Sequence, residues 1–289
     1  MEKIFINHKL VDLKDAKVSI LDRGYSFGDG VYEVIRFYDG VLFRLEEHLE
    51  RFKRSVQELD IDFEFDMELL KSEIDFLIKK SDYNSGYIYA QISRGVGKRD
   101  HVYVDKELSE PQYIMYVVQE EERPLKVMEN GIKVLLTEEV RWARCDIKSL
   151  NLLGSVIAKN EAYRRGAKEA VFHRNGYITE GSATNVFVVK DGVLYTHPAN
   201  NFILNGITRL TIIEIAKELK IPVVETPFIV EFFKEADEAF TSASVSEISP
   251  IIEFEEVVEE SSIVRKLGKG TRGNITKAIQ DKYGEYIAK

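Results

Sequence analysis

Apolar and polar positions along the chain change period several times, and each change marks an element. "KIFINHKLV" alternates on either side of Asn7-His8 and predicts a hairpin. "GVYEVIRFYDGVLFRL" predicts two more strands joined at Asp39-Gly40, a pair suited to the positive backbone angles of a two-residue turn. Leu49, Phe52, Val56 and Leu59 then recur at helical spacing, and "DMELLKSEIDFLIKKS" supplies a second amphipathic helix. "GYIYAQISRG" and "PQYIMYVVQ" return to strand. The first half is therefore β-rich, carries two helices and ends near residue 120.

"EEERPLKVMENG" is charged, holds a proline and has no period, so residues 121–130 read as an interdomain linker. Beyond it, "IKVLLTEEV" predicts a strand and "LNLLGSVIAKNEAYRRG" a helix stopped by Gly166. Asn175-Gly176 and Asp191-Gly192 predict two further hairpins. "NGITRLTIIEIAKELKIP" reads as a helix with Ile207, Leu210, Ile213 and Ala216 on its apolar face, ending before Pro222. "PVVETPF" and "EAFTSAS" follow as strands, and a last helix lies near the C-terminus. The pattern describes a mixed α/β (α+β) chain of two domains, residues 1–120 and 131–289.

Charge narrows the partners. The net charge of −9 and the scattered basic residues argue against a nucleic-acid binder. The longest apolar runs, such as "YIMYVV", are too short to span a bilayer, and "MEKIFINHKL" lacks the apolar stretch of a signal peptide. A single cysteine, Cys145, allows no intrachain disulfide and fits a reducing compartment, so a cytoplasmic protein is expected.

Several short stretches carry candidate chemistry, each with a plainer alternative. In "LNGITR" a glycine opens a helix and a threonine follows, a recipe for holding a phosphate on free N–H groups; such starts more often only cap. Arg51 in "HLERFKRS" is a possible bidentate phosphate ligand or part of a solvated face. Glu180 in "YITEGSATNVF" precedes small residues that let a flat ligand approach the backbone, and its carboxylate would hold a proton on a ring nitrogen; it also suits an exposed strand end. "SRGVGKRDH" places Arg99 and His101 in a basic loop suited to a carboxylate, although its Gly-x-Gly is too short for a dinucleotide fingerprint. "LDRGYSFGDGVYEVIR" brings Tyr32 into a strand after an aromatic, glycine-rich loop. In "RCDIKSLNLLGS", Lys148 stands before a leucine-rich run, as a solvated lysine or an amine for an aldehyde. Together they ask for a phosphate, a basic aromatic nitrogen, an aldehyde and a carboxylate-bearing substrate, and pyridoxal phosphate meets the first three.

The strings "DRGYSFGDGVYEV", "RCDIKSLNLL", "EGSATNVF" and "HPANNFILNGITR", in this order, resemble the fold-type IV pyridoxal-phosphate enzymes from about residue 3 to about residue 255. That class includes D-amino acid aminotransferases, branched-chain aminotransferases and aminodeoxychorismate lyases, and the resemblance is greatest to the first. It implies a smaller N-terminal domain, a larger C-terminal domain that binds pyridoxal 5'-phosphate, and a homodimer. It implies Lys148 as the Schiff-base lysine and Glu180 as the carboxylate beside the pyridine nitrogen. Arg51, Ile207, Thr208 and Ser244 match the phosphate cup, and Leu204 the apolar residue on the ring face. Tyr32, Arg99 and His101 match the trap for the substrate carboxylate, the arginine and histidine reaching in from the other subunit. No metal is called for. The implied reaction is transamination of D-amino acids, such as D-alanine, with 2-oxoglutarate or another 2-oxo acid. "RDH" at residues 99–101 favours the D reading, while Arg36 after "YEVI" keeps an L-branched-chain aminotransferase as an alternative; Ala183, Ala243 and Val245, where D-specific members often carry serine or threonine, imply retuned substrate choice or weaker phosphate binding. A lyase of the same fold is a further one.

Overall fold

The computed structural model describes residues 3–103, 110–120, 123–258 and 261–288. The chain forms two units, one of Met1–Glu122 with Ile147–Leu152, the other of Arg123–Asp146 with Leu153–Lys289.

The first unit comprises β1 (Lys3–Ile6), β2 (Lys9–Asp12), α1 (Arg23–Phe27), β3 (Gly30–Tyr38), β4 (Val41–Leu42), α2 (Leu45–Glu58), α3 (Met67–Ser81), β5 (Gly86–Ser93) and β6 (Gln112–Gln119). Its strands form one antiparallel sheet in the order β2-β1-β6-β5-β3-β4. The two expected hairpins are present, with positive φ at Asn7, His8, Asp39 and Gly40. Alternation sends Val31, Ile35 and Phe37 of β3, with Ile88 and Ile92 of β5, onto Leu49, Phe52 and Val56 of α2 and Leu70, Ile74 and Leu77 of α3. Each such side chain contributes about 1.5–3 kcal/mol on burial. Asp66 caps α3 by accepting from the Leu69 N–H at 3.0 Å, and Glu46 and Glu47 oppose the dipole at the start of α2.

The second unit comprises α4 (Leu125–Asn130), β7 (Ile132–Glu138), α5 (Leu153–Arg164), β8 (Glu169–Arg174), β9 (Tyr177–Gly181), β10 (Asn185–Lys190), β11 (Val193–Thr196), α6 (Ile207–Glu218), β12 (Val223–Glu225), α7 (Val230–Lys234), β13 (Glu238–Ala243), β14 (Glu247–Val258), β15 (Ser261–Lys266) and α8 (Asn274–Ile287). Its sheet runs β12-β11-β10-β13-β14-β7-β8-β9, and β9 also pairs with β10, so the sheet closes on itself. β7 is parallel to both β14 and β8. The core gathers Val134, Val171, Ile178, Val186, Val188, Phe233 and Phe254.

Four details differ from the sequence expectation. The helix expected from Leu150 begins at Leu153, because the chain before it is held to β3 through an isolated bridge between Ser149 and Val31: the Tyr32 N–H donates to Lys148 O at 3.0 Å, and the Leu150 N–H to Gly30 O at 2.9 Å. Ile147 is buried in the first unit's core, so this short segment leaves the expected 131–289 domain. Of the expected linker, residues 121–122 lie outside the described residues, and Leu125–Asn130 fold as α4 with Met128 buried. Leu210, expected on the inner face of α6, is exposed, whereas Ile212 and Ile215 are buried.

Candidate active site

In the first unit, β3 carries Tyr32 and Glu33. Successive residues of a strand face opposite ways. Tyr32 therefore lies on one face, where its ring sits 4.4 Å from Lys148 Nζ, while Glu33 is buried on the other against α2. The Lys148 backbone is fixed by the Tyr32 N–H and by its own N–H to Ser55 Oγ at 3.4 Å. The half-buried lysine is thus held by its main chain while its amine extends over an aromatic ring.

Arg51 comes from α2 and makes a fork with Glu33, Nε to Oε1 at 2.7 Å and Nη2 to Oε2 at 2.9 Å. His48, one turn earlier, meets Glu33 Oε2 through Nδ1 at 2.8 Å. Burial would raise the Glu33 carboxyl, but Arg51 and His48 outweigh it and hold Glu33 far below the usual carboxylate range. Burial pushes His48 down, against the pull of Glu33; the positive charges of Arg51 and Lys148 add to the drop. Lys148, His48, Glu33 and Arg51 are therefore one electrostatic neighbourhood.

Arg99 and His101 stand on the exposed loop after β5. Both gather on Phe27: the Arg99 guanidinium is 5.3 Å from its ring centre and the His101 ring 5.7 Å. Among the described residues neither has a hydrogen bond or ring contact with Tyr32 or Lys148 of the same chain.

The second unit positions Glu180. Register places it opposite Asn185 where β9 meets β10. The carboxylate accepts from Arg141 Nη1 at 2.8 Å, Asn185 Nδ2 at 3.1 Å and the Leu204 N–H at 3.0 Å. Arg141 is steadied by Glu139 at 2.7 Å and by the Phe172 ring at 4.5 Å. Burial drives Glu180 up to about 7, against the opposing pull of Arg141 and the Leu204 N–H. Asn185 also donates to Leu204 O at 2.8 Å, so one amide links the carboxylate to the approach to α6.

α6 opens at Gly206 with no side-chain cap, and Ile207 and Thr208 form its first turn. A Cβ at Gly206 would lie 2.2 Å from Asn185 Oδ1, so this close approach requires glycine. Ser244 lies in the short β13–β14 turn, since the register ends at Ala243 opposite Glu247. Around it, Ser242 Oγ and Ser246 Oγ are buried without a hydrogen-bond partner among the described residues.

The candidates named from sequence thus fall into four groups: Lys148, Tyr32 and Arg51; Arg99 and His101; Glu180 and Leu204 with Ile207 and Thr208 at the start of α6; and Ser244 on the β13–β14 turn. Sequence reasoning missed the residues that hold them, chiefly Glu33, His48, Arg141 and Asn185. Two carried a signal: His48 and Arg51 are three apart on one helix, and Asn185 ends the string "EGSATN". Glu33 and Arg141 carried none.

This fold and donor set define a class IV aminotransferase, and the chain belongs to that family, Amino-transferase class IV, which it matches over residues 30–254. It is 44% identical to a D-alanine aminotransferase of Staphylococcus haemolyticus, with 99% of this chain and 98% of that one covered. Among solved structures it is similar to the branched-chain amino acid aminotransferase of Escherichia coli, with a TM-score of 0.87, 31% identity and coverage of 98% and 94%. It is also similar to the branched-chain amino acid aminotransferase of Thermobaculum terrenum in its PLP form, with a TM-score of 0.86, 26% identity and coverage of 99% and 94%.

The family's cofactor is pyridoxal phosphate, and the residues fit it. An uncapped helix start, a glycine that cannot bear a Cβ and buried serine hydroxyls without partners suit a phosphate. A buried carboxyl near neutrality suits a ring nitrogen that shares its proton.

Proposed function

We propose that the chain transaminates D-amino acids, D-alanine among them, with 2-oxoglutarate or another 2-oxo acid as acceptor. The near-full-length identity to a D-alanine aminotransferase carries the reading. The loop sequence Arg99-Asp100-His101 agrees with it.

In this reading pyridoxal phosphate, when bound, supplies an electron-withdrawing ring that accepts the pair left by the Cα proton. Lys148 Nζ would hold the cofactor and, as a free amine, would take up that proton. Glu180 would keep the ring nitrogen protonated; Arg141, Asn185 and the Leu204 N–H keep Glu180 aimed and ionisable. Arg51, Ile207, Thr208 and Ser244 would hold the phosphate, and Leu204 would supply an apolar contact for the ring. Tyr32, Arg99 and His101 receive the substrate carboxylate and so set the hand of the product, because Lys148 works from one fixed face.

The enzyme acts as a homodimer in the cytoplasm, with Arg99 and His101 serving the partner's site. α5 supports this, since it leaves Leu153, Val156, Ile157 and Tyr163 exposed, an apolar face suited to a second copy. Among the described residues no helix is long and apolar enough to cross a membrane.

The structural likeness to branched-chain enzymes favours a second reading, L-branched-chain transamination with the same lysine. Absorbance titration of the purified protein with D-alanine and, separately, L-leucine decides. Conversion of the pyridoxal band to the pyridoxamine band by D-alanine alone is expected. Conversion by L-leucine alone would relocate the carboxylate and overturn the D reading, and no pyridoxamine band with any amino acid would favour a lyase.

A further inference from the structure

We infer that Arg23, acting with Phe27, is the positioning residue of the carboxylate trap: it fixes the loop from which Arg99 and His101 reach the substrate. This rests on the reading that these two side chains receive the substrate carboxylate.

The loop is first zipped to the segment before α1. The Arg23 N–H donates to Gly95 O at 2.9 Å, the Gly97 N–H donates to Leu21 O at 3.2 Å, and Asp22 pairs with Val96 between them. After Gly97 the backbone leaves this ladder, and its return is caught by one side chain. Arg23 Nη1 donates to Asp100 O at 2.7 Å and to Val102 O at 3.3 Å. These two carbonyls flank His101.

Arg23 is itself rigid. It is 3% exposed, and its Nε donates to Asp29 Oδ2 at 2.8 Å. The same oxygen accepts from Arg94 Nε at 2.9 Å, and Arg94 lies 3.5 Å from the Tyr103 ring centre on the far side of the loop. One half-buried carboxylate therefore orients two guanidiniums, which hold the loop at residues 100, 102 and 103.

Phe27 completes the arrangement. The Arg23 guanidinium is 4.8 Å from its ring centre, and the same ring carries Arg99 and His101. Two exposed side chains that would otherwise sample many rotamers share one aromatic platform before the substrate arrives. Freedom removed in the free enzyme is not lost again on binding, so the platform raises affinity for the carboxylate. A lysine at position 23 would keep the charge, but its single nitrogen cannot reach Asp29 and both carbonyls in one plane.

The test is the half-reaction of the holoenzyme with D-alanine, read by the cofactor's absorbance to give Kd and the limiting rate separately. Arg23→Lys is expected to raise Kd about tenfold, the scale of a lost charge-assisted hydrogen bond, with the limiting rate within about twofold. Phe27→Leu, a milder change at a half-buried site, is expected to raise Kd about threefold, in line with the loss of a cation–π contact. Combining Arg23→Lys with Arg99→Ala is expected to add little to Arg99→Ala alone. An unchanged Kd in Arg23→Lys and Phe27→Leu, with Arg99→Ala raising it, would overturn this inference and leave the site reading intact. An unchanged Kd in Arg99→Ala would instead overturn the site reading on which it rests. A fall in limiting rate with unchanged Kd would assign Arg23 a general structural role and also overturn the inference.

Discussion

At the scale of single residues, the site depends on groups whose protonation the fold controls. In the proposed reading Lys148→Ala loses both the anchor and the proton carrier, so kcat for D-alanine should fall by more than about a thousandfold, with partial rescue by added methylamine. Substantial turnover without amine would remove Lys148 from its role. Glu180 behaves oppositely to most carboxylates, because its folded-state value of about 7 lies above the ordinary 4.5. The fold favours its protonated form, so its stabilising contribution is whole below pH 4.5 and is lost as pH rises through 7. In cofactor-free protein that loss should reach about 3 kcal/mol, and Glu180→Gln should abolish it. Urea unfolding of both proteins at pH 5 and pH 8 measures it; an equal difference between them at the two pH values would refute it. The candidate residues were named from short strings of sequence because each suits its proposed chemistry through its own type. Their supports were not: nothing in the string around Arg141 announces Glu180, which is 39 positions away.

At the scale of elements, α2 is tied to β3 by a polar knot as well as by Phe52 and Val56. Glu33 is fully buried and shared by Arg51 and His48. Its depressed value means that its contribution is present above pH 4.5 and lost as pH falls below the carboxylate range. Glu33→Gln removes the buried charge that Arg51 and His48 share, and should destabilise the protein by about 3–5 kcal/mol. Chemical denaturation at pH 7 checks this, and a loss below about 1 kcal/mol, the worth of a surface pair, would show that the knot is not needed. Elements with local signals were legible: the turns at Asp39-Gly40 and Asn175-Gly176 and the helices over Leu45–Glu58 and Met67–Ser81. β14 was not. Its run of acids looks solvated, yet it lies inside the sheet with Glu255 bound to Lys133 at 2.6 Å and Arg165 at 3.0 Å. Its parallel partner β7 is more than a hundred residues away in sequence, so no short window holds the signal.

At the scale of the whole molecule, the proposed dimer makes each site a joint product of two chains. Lys148→Ala and Arg99→Ala proteins, each impaired alone, should regain activity when refolded together. In the mixed dimer one site keeps both its own lysine and the partner's arginine. About a quarter of wild-type turnover is expected from random pairing of equal amounts, since half of the dimers are mixed and each then has one intact site of two. No recovery beyond the sum of the separate proteins would place Arg99 in the same chain's site. The two-unit plan was legible in outline, but the path of the chain was not: residues 147–152 join the first unit although both flanks belong to the second. That path has a consequence for synthesis. The ribosome delivers β3 more than a hundred residues before the lysine that lies along it. The first unit therefore waits, with one margin of β3 unfilled near Gly30 and Tyr32, until a strip of chain from beyond its boundary arrives. A nick after residue 122 would leave that strip attached to the wrong fragment, and neither piece made alone would set Lys148 over the Tyr32 ring.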